Sequence, residues 1–89
     1  MRLGCLYGTK KVDSLMRKNN QFSGEINEAI NKFVNNNWGD TCIEDRLLND
    51  LALVTGERIV AVYLTIYGPV WIISEYDRQA TTILFPSEY

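Results

Sequence analysis

Two stretches in the second half of the chain, 58–67 and 70–76, are apolar at almost every position. Both are rich in β-branched and aromatic residues, the composition of β-strands. Successive side chains of a strand point to opposite faces. Val60, Val62, Leu64 and Ile66 therefore share one face, and Ile59, Ala61, Tyr63, Thr65 and Tyr67 the other. In the second stretch Val70 and Ile72 oppose Trp71 and Ile73. A sheet packed on one side alternates apolar with polar residues. Here both faces are apolar, so both demand cover.

Tyr67-Gly68-Pro69 marks a turn between these strands. Asp77-Arg78-Gln79-Ala80 is a tight connection to a third strand, Thr81 to Phe85, which stops at Pro86. Short links between consecutive strands imply an antiparallel meander. The first half has helical periodicity instead. Thr9 is placed to cap a helix running to Lys18, with Val12, Leu15 and Met16 at helical spacing. Ser23 is a suitable N-cap for a second helix, with Glu25 in its first turn. Phe22, Ile26, Ile30, Phe33 and Val34 form the buried stripe of that helix, and the Asn35–Asn37 run with Gly39 ends it. Thr41-Cys42-Ile43-Glu44 matches a capping box at the start of a third helix near Asp40. Its stripe is Ile43, Leu47, Leu51 and Val54, and Gly56 supplies a left-handed end. The pattern predicts one α+β domain over 1–89: two to three N-terminal helices followed by a three-stranded antiparallel sheet. The helical stripes pack on one sheet face. Tyr63, Trp71 and Ile73 are expected to meet on the other, under cover of residues 3–7, a second subunit or a target.

The chain of 89 residues has room for one modest core. It holds no apolar run of the roughly 20 residues that cross a bilayer, and its first residues lack the long apolar stretch of a signal peptide. The expected location is therefore cytoplasmic, with no membrane contact. Cys5 and Cys42 are expected as free thiols.

The sequence has no histidine, which removes the commonest general base and metal ligand. Ser–His–Asp and Cys–His arrangements cannot form within the chain. Two scattered cysteines do not make a zinc site, and the six glycines form no phosphate loop. Asp40 and Glu44, four apart, suit either a magnesium or calcium ion or the start of a helix. Glu75 and Asp77 at a hairpin end suit acid–base chemistry or a turn in which Arg78 pairs with an acid. The expected chain has no cofactor, no metal and no catalytic residue.

Charge is unevenly spread around a net −2. Residues 1–20 carry Arg2, Lys10, Lys11, Arg17 and Lys18 against Asp13. Residues 36–89 carry eight acids against Arg46, Arg58 and Arg78. Aromatic residues on the sheet could stack nucleic-acid bases, yet such platforms sit in basic grooves. Arg78 is the only basic residue after Arg58, which argues against nucleic acid as a partner for the sheet. A protein partner fits the acidic, aromatic second half better. Its expected contact residues are Trp38, Asp40, Glu44, Asp45, Tyr63, Trp71, Glu75 and Asp77.

The segment 38–89 resembles a family of short phage and mobile-element proteins of Gram-positive bacteria. The resemblance rests on Trp38-Gly39-Asp40, Asn49-Asp50, Ala52-Leu53, Gly56, Arg58 and Tyr63. It continues through Trp71-Ile72-Ile73-Ser74-Glu75, Asp77-Arg78 and the closing run Thr81 to Tyr89. By association it implies a small inhibitor of host defence of the anti-CRISPR kind. The expectation is a non-enzymatic protein-binding inhibitor whose target is a Cas or restriction subunit. The alternatives are a nucleic-acid-binding regulator using the basic N-terminal helix, and a structural homodimer module.

Overall fold

The computed structural model describes residues 1–89. Strand β1 (Cys5–Gly8) leads into helices α1 (Lys10–Lys18), α2 (Asn20–Val34) and α3 (Ile43–Thr55). Strands β2 (Ile59–Thr65), β3 (Gly68–Ser74) and β4 (Ala80–Leu84) follow, and a 3-10 turn, Pro86–Glu88, closes the chain. The architecture is α+β, with three helices and a four-stranded mixed sheet in the order β1-β4-β3-β2.

Polar side chains set the helix ends. Thr9 caps α1 by accepting from the Val12 N–H. Asn19 ends α1 and starts α2, its side chain accepting from the Phe22 N–H. Asn19, not Ser23, is thus the N-cap of α2. It stands one residue before the first turn with an extended backbone, the conformation a cap needs. Gly56 ends α3 at φ +80°, with its N–H on the Ala52 carbonyl.

The expectation of three antiparallel strands after the helices is only partly met. The meander β2-β3-β4 is antiparallel, with Val62 opposite Trp71 and Ile72 opposite Ile83. Residues 5–8, however, form a fourth strand that precedes the helices and pairs parallel to β4, Cys5 opposite Ala80 and Gly8 opposite Ile83. They extend the sheet instead of covering its second face. Nothing in a four-residue segment reveals a pairing 75 positions away; distant backbone donors and acceptors create this strand.

One sheet face carries the core. Val12 from α1 and Phe22, Ile26, Ala29 and Phe33 from α2 pack on Ile59, Ala61, Tyr63, Val70, Ile72 and Ile83. The Phe22 ring meets Tyr67 edge-on at 5.0 Å and stacks on Phe85 at 6.0 Å. The third helix departs from expectation. Ile43, Leu47 and Leu51 do not join this core: they are exposed, as are Leu48 and Val54, and the buried residues of α3 are Asn49 and Ala52.

Candidate functional site

The outer edge of β2 decides how the acidic second half is arranged. Residues 60, 62, 64 and 66 turn their N–H groups away from β3, and a different side chain receives each one. Asn49 Oδ1 accepts from Val60 at 3.4 Å, Thr41 Oγ1 from Val62 at 2.8 Å, Asp40 Oδ2 from Leu64 at 2.9 Å and Glu25 Oε1 from Ile66 at 3.1 Å. Asn49 Nδ2 also donates to the Val60 carbonyl, and the Asp40 N–H to that of Val62. An open strand edge invites pairing with other chains; this one is closed by side chains.

That closure reassigns several predicted residues. Thr41 is buried, bonded to the Trp38 carbonyl and the β2 edge, so no capping box forms. Cys42 is the N-cap of α3 and makes no side-chain cap bond. Asp40 lies outside the helix, so it does not share a helix edge with Glu44. No group of three carboxylates or thiols gathers where a metal ion could be held.

Trp38 and Tyr63 are core residues, not partner contacts. The Trp38 ring meets Phe33 edge-on at 5.5 Å, and its Nε1 donates to Asp50 Oδ1 at 2.8 Å. Tyr63 donates its hydroxyl to the Asn37 carbonyl at 2.7 Å. Burial raises its phenol pKa well above the ordinary value, and the Asp40 charge adds to the shift. Gly39, at φ +60°, lies so close to the Tyr63 ring that a Cβ there would stand 2.4 Å from it. Trp38-Gly39-Asp40 is therefore a structural corner that fixes the loop against β2.

Tyr63 also faces away from Trp71. Tyr63 pairs with Val70, and both turn toward the helices, whereas Trp71 pairs with Val62 on the opposite face. The alternation of one strand gives its two faces but not how they match the next strand's. The register across the turn sets that match. The second face carries Val60, Val62 and Leu64 from β2, Trp71 and Ile73 from β3, Thr82 and Leu84 from β4, and, beyond them, the exposed Tyr7 from β1. Ile73 and Leu84 are buried. Tyr89 lies edge-on against Trp71 at 5.4 Å, and the Arg58 guanidinium lies 5.3 Å from the Tyr89 ring. Toward β2 the cover ends: Val60, Val62 and Trp71 are half-buried, and Leu64 is 62% exposed.

Acids border this open row. Asp40 is bonded to the Leu64 N–H at one end. Asp45 lines a shallow depression of about 280 Å³ with Leu48, Asn49, Arg58 and Val60 at the other. Glu44 and Asp45 occupy the exposed first turn of α3, where the helix dipole favours negative charge. Glu75 stands 3.6 Å from Arg58. Asp77 orders the turn before β4 by accepting from the Gln79 N–H at 3.1 Å. Arg78 does not pair with an acid. Its guanidinium donates to the Glu75 and Ala52 carbonyls and ties that turn to α3.

The grouping that emerges is an apolar row, Val60, Val62, Leu64 and Trp71, with Asp40 and Asp45 beside it. Of the predicted contact residues it brings together Trp71, Asp40 and Asp45. It excludes Trp38 and Tyr63 and leaves Glu75 and Asp77 in structural roles. The missed residues, Val60, Val62 and Leu64, share a face in the sequence pattern, yet nothing there marks that face as the open one. No family model, curated protein or solved structure matches this chain.

Proposed function

We propose that this chain is a non-enzymatic inhibitor from a phage or mobile element that binds a protein of a bacterial defence nuclease complex through the open sheet face. The observation that carries the reading is the apolar row between Asp40 and Asp45, in which Val60, Val62 and Trp71 are only half-buried and Leu64 is exposed. Apolar patches bordered by charge are contact surfaces more often than accidents of folding, and an aromatic ring at the centre supplies the anchor. The partner surface is then apolar with a basic border, the kind of surface found beside a nucleic-acid channel. The resemblance of 38–89 to mobile-element proteins supports a defence target.

The test uses purified Cas and restriction complexes cleaving DNA in the presence of the chain. The expected result is suppressed cleavage by one of them, weakening as salt rises because the bordering charges are screened. Trp71→Ala and Asp45→Lys should each lose inhibition while the far-UV circular dichroism stays unchanged. Cleavage untouched by the wild-type chain, or inhibition undiminished in both variants, refutes the reading.

A further inference from the structure

Helix α3 carries its largest side chains on the side turned away from the rest of the protein. At about 100° per residue, Ile43, Leu47, Leu51 and Val54 fall into one stripe. They are 66%, 64%, 58% and 86% exposed, while the buried Asn49 and Ala52 lie on the opposite side of the helix. Nothing else in the chain packs on this stripe.

The stripe matches itself when reversed. Turned end for end about Asn49, Leu47 of one copy falls on Leu51 of the other, and the reverse contact repeats it. In an antiparallel pair related by a two-fold axis, each flank of the helix meets the same flank of its copy. One flank carries Arg46 and Asp50, so Arg46 of one copy stands beside Asp50 of the other, twice. The other flank places Glu44 beside Thr55, while Leu48 turns further aside, toward the depression it lines with Arg58 and Val60. The two Glu44 carboxylates end about 15 Å apart, ten residues at 1.5 Å each, beyond the screening length of about 8 Å at physiological salt.

Both flank charges are already held by their own protomer. Arg46 Nε donates to the Thr41 carbonyl at 2.6 Å, and Asp50 Oδ1 accepts from Trp38. The terminal guanidinium nitrogens of Arg46 and Asp50 Oδ2 have no partner within the chain. Groups fixed before binding lose less freedom on association.

We propose that two copies of this chain associate through α3 as an antiparallel, two-fold symmetric pair, with Leu47 and Leu51 at its centre and Arg46–Asp50 pairs on one flank. The stripe lies on the helix and not in the apolar row of the sheet, so the proposal stands or falls apart from the docking face described above.

Sedimentation velocity over a concentration series tests it. The wild-type chain should shift from monomer to dimer. Leu47→Glu, at an exposed position, should raise the dissociation constant at least about a hundredfold with an unchanged thermal melt. Arg46→Glu should weaken the dimer by roughly tenfold. Orientation is read by cross-linking in a Cys5→Ser, Cys42→Ser background. Ile43→Cys chains mixed with Val54→Cys chains should form a disulfide-linked dimer under mild oxidation, and neither variant alone should cross-link to itself. A wild-type chain that stays monomeric throughout the series overturns the proposal. So does a dimer indifferent to Leu47→Glu, or one in which Ile43→Cys alone cross-links to itself.

Discussion

Asn49→Ala is the sharpest probe of how the acidic half is held to the sheet. Asn49 is 4% exposed, donates to the Val60 carbonyl at 2.9 Å and accepts from the Val60 N–H at 3.4 Å. Alanine removes both bonds and leaves two backbone groups of an edge strand without partners. Each orphaned group costs about 1–3 kcal/mol. The 3.4 Å bond is the weaker of the two, so the pair together costs about 2–4 kcal/mol. Two effects reduce this. Alanine favours the helix over asparagine by about 0.5 kcal/mol, and water can enter through the depression beside Asn49 to solvate Val60. The net loss is then about 2 kcal/mol, a large part of a small domain's 5–15 kcal/mol. At about 4–8 °C per kcal/mol the melting temperature should fall by roughly 8–16 °C. Urea denaturation gives the free energy directly. Asn49→Asp should not recover the loss, because its buried carboxylate faces the Val60 carbonyl that the amide had donated to. A loss below about 0.5 kcal/mol for Asn49→Ala would show that the side-chain closure of β2 is incidental, and the account of why α3 buries Asn49 would fail with it.

Tyr63 should make the protein sensitive to alkali. Its phenol holds its proton in the folded state above the ordinary value of 10.0, so above that pH the unfolded chain binds fewer protons. This contribution to stability is intact below about pH 10 and is lost at up to about 1.4 kcal/mol per pH unit above it. Denaturation measured from pH 9 to 12 should show the slope, and Tyr63→Phe should flatten it; an unchanged slope in that variant contradicts the assignment. Two glycine substitutions should act in opposite directions. Gly39→Ala forces a Cβ against the Tyr63 ring at a positive φ, whereas a Cβ at Gly24 in α2 meets nothing within 4 Å. Gly39→Ala should cost more than about 2 kcal/mol and Gly24→Ala should gain roughly 0.5–1 kcal/mol, with thermal melts of equal midpoint refuting both.

Local structure is legible in the residues themselves. The β-branched runs gave the meander, and Thr9, the Asn35–Asn37 run and Gly56 marked helix ends that the structure keeps. The stripe of α2 was legible because Phe22, Ile26 and Phe33 recur at one helical spacing and no polar residue competes for their side. Tertiary structure decided three things that periodicity cannot carry. Register set which face of β3 matches which face of β2, and so parted Tyr63 from Trp71. Pairing with β4 made a strand of residues 5–8. The orientation of α3 went against its own apolar pattern. Its most hydrophobic side points to solvent because the backbone groups at the edge of β2 need partners, and Asn49, not Leu47, supplies them. Burying a leucine is worth about 1.5–3 kcal/mol. Leaving a buried N–H and C=O unpaired costs a comparable amount, and only the assembled sheet presents that demand.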